Sequence, residues 1–201
     1  WNGRKIAILR QFDTKEWLET VQSEQVTHAF VVPTMLKQLI DHPDFSQYDL
    51  SSLQNLSYGG APMAFPVIRK AIDLFPDSTG FVNAFGQTET NSTLTVLGPA
   101  DHKLNGPPAE VERNLKRLTS VGLPLPDVEV QILDEDNKEL PANEIGEVVI
   151  RTPRVMKGYA NQESATAALL DENGWLHTRD MGYIDEDGYV YLVGRKDDII
   201  I

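Results

Sequence analysis

Apolar and polar positions follow two rhythms along the chain. In the first half, short apolar runs are followed by amphipathic stretches. Residues 5–9 read as a strand and 14–25 as a helix, where Asp13 with Glu16 three positions on forms a capping box. Residues 27–32 are β-branched and apolar, Pro33 opens a helix through residue 40, and His42-Pro43 stops it. A third strand over 53–58 runs into Gly59-Gly60. A helix over 64–75 follows, with Val67, Ile68, Ala71, Ile72 and Phe75 on one stripe, and 80–84 supplies a fourth strand. Buried strands alternating with covering helices predict a parallel, right-handed βαβ sheet whose ligands sit beyond the carboxyl ends of the strands, where Gly59-Gly60 and Phe85-Gly86 stand.

Residues 98–118 are loop-like, with Gly106-Pro107-Pro108 and a charged run over 110–117 that reads as a short solvated helix. After them the period becomes that of β-structure: an alternating strand over 128–133, a turn at 134–137, a strand over 147–151, and a hairpin joining 183–184 to 189–193. Asp185-Glu186-Asp187-Gly188 has its glycine too early for an EF-hand loop, so it reads as the hairpin turn. The expected fold is α/β: a parallel βαβ sheet subdomain over 1–97, a linker over 98–118, and a small β-rich, barrel-like subdomain over 119–195.

Composition narrows the chemistry. The 201 residues carry 18 Lys and Arg against 30 Asp and Glu, a formal net charge of −12. Such a chain lacks the basic face that supplies most nucleic-acid affinity, so no DNA or RNA partner is expected, while small nucleotides with magnesium remain compatible. The absence of cysteine excludes disulfides, thiolate zinc sites and a cysteine nucleophile. Apolar runs such as 29–33 are far shorter than a membrane-spanning helix, and the expectation is a soluble, cytoplasmic protein. The chain opens at Trp1 without a methionine and stops within a pattern at Ile201, which reads as a piece of something longer. His28, His42, His102 and His177 show no ligand spacing and read as ordinary core or surface histidines.

Four clusters carry candidate chemistry. Gly59-Gly60-Ala61-Pro62 lets backbone approach a flat ligand, or is a plain strand-to-helix turn. Asn83-Ala84-Phe85-Gly86-Gln87-Thr88-Glu89 brings together an aromatic face, amides, a hydroxyl and a carboxylate. Phe85 would stack on a base, Thr88 would donate to a phosphate and Glu89 would offer the hard oxygen that magnesium prefers; alternatively, Phe85 belongs to the core and Thr88-Glu89 caps a helix. In Trp175-Leu176-His177-Thr178-Arg179-Asp180, the Asp180 carboxylate suits the hydroxyls of a ribose. In Gly194-Arg195-Lys196-Asp197, the planar guanidinium of Arg195 suits ribose and phosphate; taken singly, Asp180 and Arg195 also read as a surface pair.

The ordered series Gly59-Gly60-Ala61, Asn83 to Glu89, Gly146-Glu147 to Gly158-Tyr159, Thr178-x-Asp180 and Gly194-Arg195-x-Asp197 resembles the adenylate-forming superfamily, and among its members the fatty acyl-CoA ligases. The resemblance covers nearly the whole chain. It implies ATP, Mg2+ and CoA as co-substrates and cofactor, with a carboxylic acid, expected to be a fatty acid, as substrate. The implied reaction is attack of the carboxylate on the α-phosphate, release of pyrophosphate, and thioester formation with CoA. It further implies that Gly59, Gly60 and Ala61 line the adenine and acyl pocket, that Asn83 and Phe85 hold the adenine, and that Pro62, Gly86 and Gln87 are cofactor-binding residues. Thr88 would meet the phosphates, Glu89 the magnesium and Asp180 the ribose, with Leu192 beside it. Arg195 would contact the nucleotide, and Asp197 would stand at a hinge spanning residues 196–201. Carrier-protein ligases, peptide-synthetase adenylation domains and an inactive nucleotide-binding module are the alternatives. Chain length of the acid and oligomeric state are not encoded in these motifs.

The sequence departs from the family pattern at two positions. Arg179 replaces the usual glycine between Thr178 and Asp180 and is expected to perturb that turn, and Phe85 replaces the commoner tyrosine. The family's upstream Ser/Thr/Gly-rich phosphate loop and its C-terminal lid with a catalytic lysine do not stand in these residues, so the resemblance implies little or no turnover from this chain by itself.

Overall fold

A computed structural model describes residues 3–196. These form two compact units: the first comprises residues 3–83 with 98–118, the second residues 84–97 with 119–196. The expected hinge residue Asp197 lies outside the described residues.

The first unit begins with helix α1 (Thr14–Glu24). Its N-terminus is capped by Asp13, whose Oδ1 accepts from the Glu16 amide at 2.8 Å, satisfying one of the donors a helix start leaves free. Strand β1 (His28–Val31) leads to helix α2 (Pro33–Ile40), where the proline occupies the first turn as the sequence predicts. Strand β2 (Asn55–Gly59) pairs with β1 in parallel, from His28 opposite Asn55 to Val31 opposite Tyr58. Helix α3 (Phe65–Leu74) buries Ile68 and Ala71 from the expected stripe, and strand β3 (Gly80–Gln87) follows as the neighbour of β2. Leu18, Leu36, Leu39, Leu53 and Leu56 are fully buried, each removed from water at a gain of roughly 1.5–3 kcal/mol. Phe75 packs edge-on against Phe45 and Phe81, at ring-centroid distances of 5.1 and 5.6 Å.

Helix α4 (Pro108–Arg117) lies in the stretch read as a linker. Its buried Asn114 donates to the carbonyls of Ala100 and Lys103 at 3.0 and 2.9 Å, tying the helix to the 3-10 turn Pro99–His102. Beside them His102 is buried, its Nδ1 donating to the Gly98 carbonyl at 2.8 Å and its Nε2 accepting from the buried Tyr58 hydroxyl at 2.9 Å.

The second unit contains the end of β3, strand β4 (Ser92–Leu97) and strand β5 (Leu123–Pro124), with β4 and β5 antiparallel through Thr95 opposite Pro124. It also contains an antiparallel sheet of β6 (Glu129–Leu133), β7 (Gly146–Arg151), β8 (Leu176–Ile184) and β9 (Val190–Arg195), in that order, with the short helix α5 (Glu163–Ala167) preceding β8. Leu94, Val128, Ile132, Val148 and Ile150 form its apolar cluster, against which Phe85 and Leu192 pack. The 185–188 segment is the hairpin turn, its Asp185 Oδ1 accepting from the amides of Asp187 and Tyr189 at 3.1 and 2.9 Å.

The α/β class, with a parallel sheet followed by antiparallel β-structure, is as the sequence predicts. The strand expected at residues 5–9 is not formed: Ile6 and Ile8 are 78% and 84% exposed. An alternating pattern makes a strand only where a neighbouring backbone takes up its N–H and C=O groups, and the described residues offer this segment none. The strand begun at Gly80 continues past the expected residue 84 to Gln87 because the following segment, which the pattern left unassigned, folds back as β4.

Candidate active site

Strand β8 does not run evenly along β7. His177 is opposite Val149 and Met181 is opposite Glu147, so four steps of β8 face two of β7 and the excess bulges at Thr178-Arg179-Asp180. Thr178 locks the bulge from inside: its hydroxyl donates to the Val148 carbonyl at 2.7 Å and accepts from the Asp180 amide at 3.1 Å. Arg179 at the apex has φ +62°, the left-handed region that favours glycine, the residue the family pattern carries there. The turn expected to be perturbed by Arg179 is therefore formed, with the arginine taking the glycine conformation.

The bulge presents the nearly buried Asp180 carboxylate to two donors. Gln87 Nε2, at the end of β3, donates to Oδ2 at 2.7 Å, and Arg195 Nε, directly opposite on β9, donates to Oδ1 at 3.1 Å. Gln87 also caps the 3-10 turn Thr88–Thr90, which carries Glu89. Glu89 is held twice, by its carbonyl, which accepts from the Met156 amide at 2.7 Å, and by Oε1, which accepts from the Tyr159 hydroxyl at 2.6 Å. The carboxylate stabilises the phenol's proton and raises Tyr159 above the ordinary tyrosine range. Gln87, Glu89, Tyr159, Thr178, Arg179 and Arg195 line one cleft of about 360 Å3, with Ala165, Ala168 and Leu169 among its apolar lining.

The other candidate residues are placed as follows. Gly59, Gly60, Ala61 and Pro62 belong to the first unit, at the carboxyl end of β2, with Gly60 at φ +80°. Asn83 lies within β3 and Thr88 is exposed on the turn that follows it. Phe85 and Leu192 are half-buried and rest on the apolar cluster of the second unit. Gly86 is glycine for a backbone reason: an added Cβ would lie 1.8 Å from the Ser92 carbonyl oxygen, where β3 and β4 meet.

Sequence reasoning quoted Tyr159 and Glu147 inside motifs without giving either a place in the site. Tyr159 reaches Glu89 across 70 positions. Glu147, nearly buried, accepts from Lys196 Nζ at 2.9 Å, with His177 Nδ1 at 3.6 Å, and so holds the residue after Arg195. Spacing along the chain carries no trace of such cross-strand partners.

The donor set fits a magnesium nucleotide. Asp180 accepts two bonds and retains lone pairs for ribose hydroxyl donors. Glu89 commits one oxygen to Tyr159 and offers carboxylate oxygen without further protein ligands, and no group of three His, Cys, Asp or Glu forms a metal cage among the described residues. Magnesium suits that arrangement, since it keeps waters and substrate phosphates and takes one or two protein carboxylates.

A family model for AMP-binding enzymes matches residues 1–160. Over 199 residues the chain is 34% identical to the medium/long-chain-fatty-acid–CoA ligase FadD8 of Mycobacterium tuberculosis, covering 99% of this chain and 32% of that protein. The structure superposes on the amide bond synthetase McbA of Marinactinospora thermotolerans with a TM-score of 0.84 at 38% identity, covering 96% of this chain and 37% of that one. It superposes on the O-succinylbenzoate coenzyme A synthetase MenE of Bacillus subtilis, solved with ATP and magnesium ion, with a TM-score of 0.77 at 30% identity, covering 95% and 36%. The chain spans about a third of the length of most of the curated relatives it matches. No helix among the described residues is long and apolar enough to cross a membrane. The match over four-fifths of the chain, the shared fold and the carboxylate-lined cleft place this protein in the AMP-binding enzyme family, the adenylate-forming enzymes.

Proposed function

We propose that the protein serves an ATP-dependent ligase that adenylates a carboxylic acid, releases pyrophosphate, and passes the acyl group to the thiol of CoA. The observation that carries this reading is the Asp180 carboxylate, pinned between Gln87 and Arg195, two residues that line the same cleft as Glu89. A carboxylate with both oxygens already oriented accepts two adjacent ribose hydroxyls without first having to be ordered, which reduces the entropic cost of binding. Arg195 supplies a permanent positive charge beside the nucleotide, and Thr88 donates to its phosphates. Glu89, positioned by Tyr159 and by the Met156 amide, would hold magnesium, which offsets the charge that builds on the phosphoryl oxygens when it is bound.

By the family resemblance, Asn83 and Phe85 contact the adenine, Leu192 lies beside the ribose, Gly59, Gly60 and Ala61 contribute adenine and acyl contacts, and Pro62, Gly86 and Gln87 belong to the cofactor-binding set. Asp197 is the proposed hinge. The similarity to FadD8 supports a fatty acid and CoA as the substrates. A second reading, in which an amine takes the acyl group in place of CoA, is supported by the likeness to McbA.

The test is pyrophosphate release by the full-length gene product with ATP, magnesium and a panel of fatty and aromatic acids, each with CoA, with an amine, or with neither. Pyrophosphate released with one class of acid, and a thioester formed with CoA, support the proposal. An amide product in place of the thioester favours the second reading, and no release with any acid refutes both.

A further inference from the structure

Arg179 is out of place twice over. The backbone there has φ +62°, a conformation glycine adopts without cost and an L side chain does not, and the family pattern has glycine at this point. A strained residue that persists where a less strained one is available points to a use for its side chain. Arg179 lines the cleft that Arg195, Glu89 and Thr178 also line, and it is an exposed residue.

We propose that Arg179 is a further nucleotide-binding residue, which with Arg195 gives the cleft a second permanent cation and makes it prefer the polyphosphate ATP to the monophosphate AMP. The inference rests on the adenylation reading above. Its physical basis is charge. In that reading Asp180 engages the ribose, a group ATP and AMP share, and so cannot discriminate between them. A guanidinium one residue away interacts with phosphate oxygens, of which ATP carries more and at higher charge. Because Arg179 is exposed, its share of binding is screened by salt. The functional consequence is weaker retention of AMP than of ATP, which favours product release.

The experiment is calorimetric titration of the full-length gene product with magnesium-ATP and with AMP, at 20 and 200 mM salt, for the wild type, Arg179→Gly and Arg179→Asn. Both replacements accept the left-handed conformation, so the bulge is kept while the charge is removed. The expected result is a five- to tenfold weaker Kd for ATP in both variants, a change in AMP affinity of less than twofold, and a flatter salt dependence for ATP. Equal weakening of both nucleotides, or no weakening, overturns the inference while the adenylation reading stands. A wild-type chain that binds neither nucleotide overturns both.

Discussion

His102 makes the stability of the first unit dependent on pH in a way that can be worked from the structure. It is 3% exposed, its Nδ1 proton is committed to the Gly98 carbonyl, and its Nε2 accepts from Tyr58. A second proton would have to enter at Nε2, facing a hydroxyl that already donates, on a side chain buried from solvent. Burial accordingly lowers His102 from 6.5 to about 4, the Gly98 carbonyl and Asp101 offsetting only part of the effect. The unfolded chain takes up this proton near pH 6.5 and the folded chain only near pH 4, so the full contribution is present above pH 6.5 and is lost as the pH falls toward 4. At about 1.4 kcal/mol per unit, roughly 2 kcal/mol of stability disappears between pH 7 and pH 5, a window in which most ordinary carboxylates stay ionised. Urea unfolding followed by tryptophan fluorescence at pH 7, 6 and 5 reads this directly. His102→Gln, which keeps a donor and an acceptor but does not titrate, is expected to start lower by about 1–3 kcal/mol and to fall less steeply. Parallel curves for the wild type and His102→Gln would refute the argument.

Three further outcomes are expected. Gly86→Ala forces a Cβ to within 1.8 Å of the Ser92 carbonyl oxygen and should destabilise the chain by more than about 3 kcal/mol, measured as a shift in urea midpoint. Arg179→Gly should change stability by no more than about 1 kcal/mol, whereas Arg179→Val, a β-branched residue at φ +62°, should cost about 1–2 kcal/mol more; equal stabilities would show that the apex is not held in the left-handed region. Asp180→Asn should weaken magnesium-ATP binding at least tenfold and abolish the preference for ATP over 2′,3′-dideoxy-ATP, a preference that would survive if Asp180 did not meet the ribose.

α2 was legible to its ends, Pro33–Ile40, because a proline start, an apolar stripe and a proline stop are local signals. The Asp13 cap, β2 running into Gly59 and the hairpin about Asp185 were legible for the same reason. The strand expected at 5–9 failed, and β4 was overlooked, because whether an apolar run pairs depends on a partner elsewhere in the chain.

The site divides in the same way. Asp180, Glu89 and Arg195 are legible as residue types suited to ribose, magnesium and phosphate, which are chemical facts of each side chain, while Gln87 enters only with the ordered motifs that carry the family resemblance. That Gln87 and Arg195 grip the two oxygens of one Asp180 carboxylate, that Tyr159 orients Glu89, and that Glu147 holds Lys196 was decided only when strands far apart in sequence were paired. The left-handed apex at Arg179 belongs to the second kind as well. Sequence marked the missing glycine, but the two-residue excess of β8 over β7 is what demands that conformation, because sheet register is a property of two strands and not of either one alone.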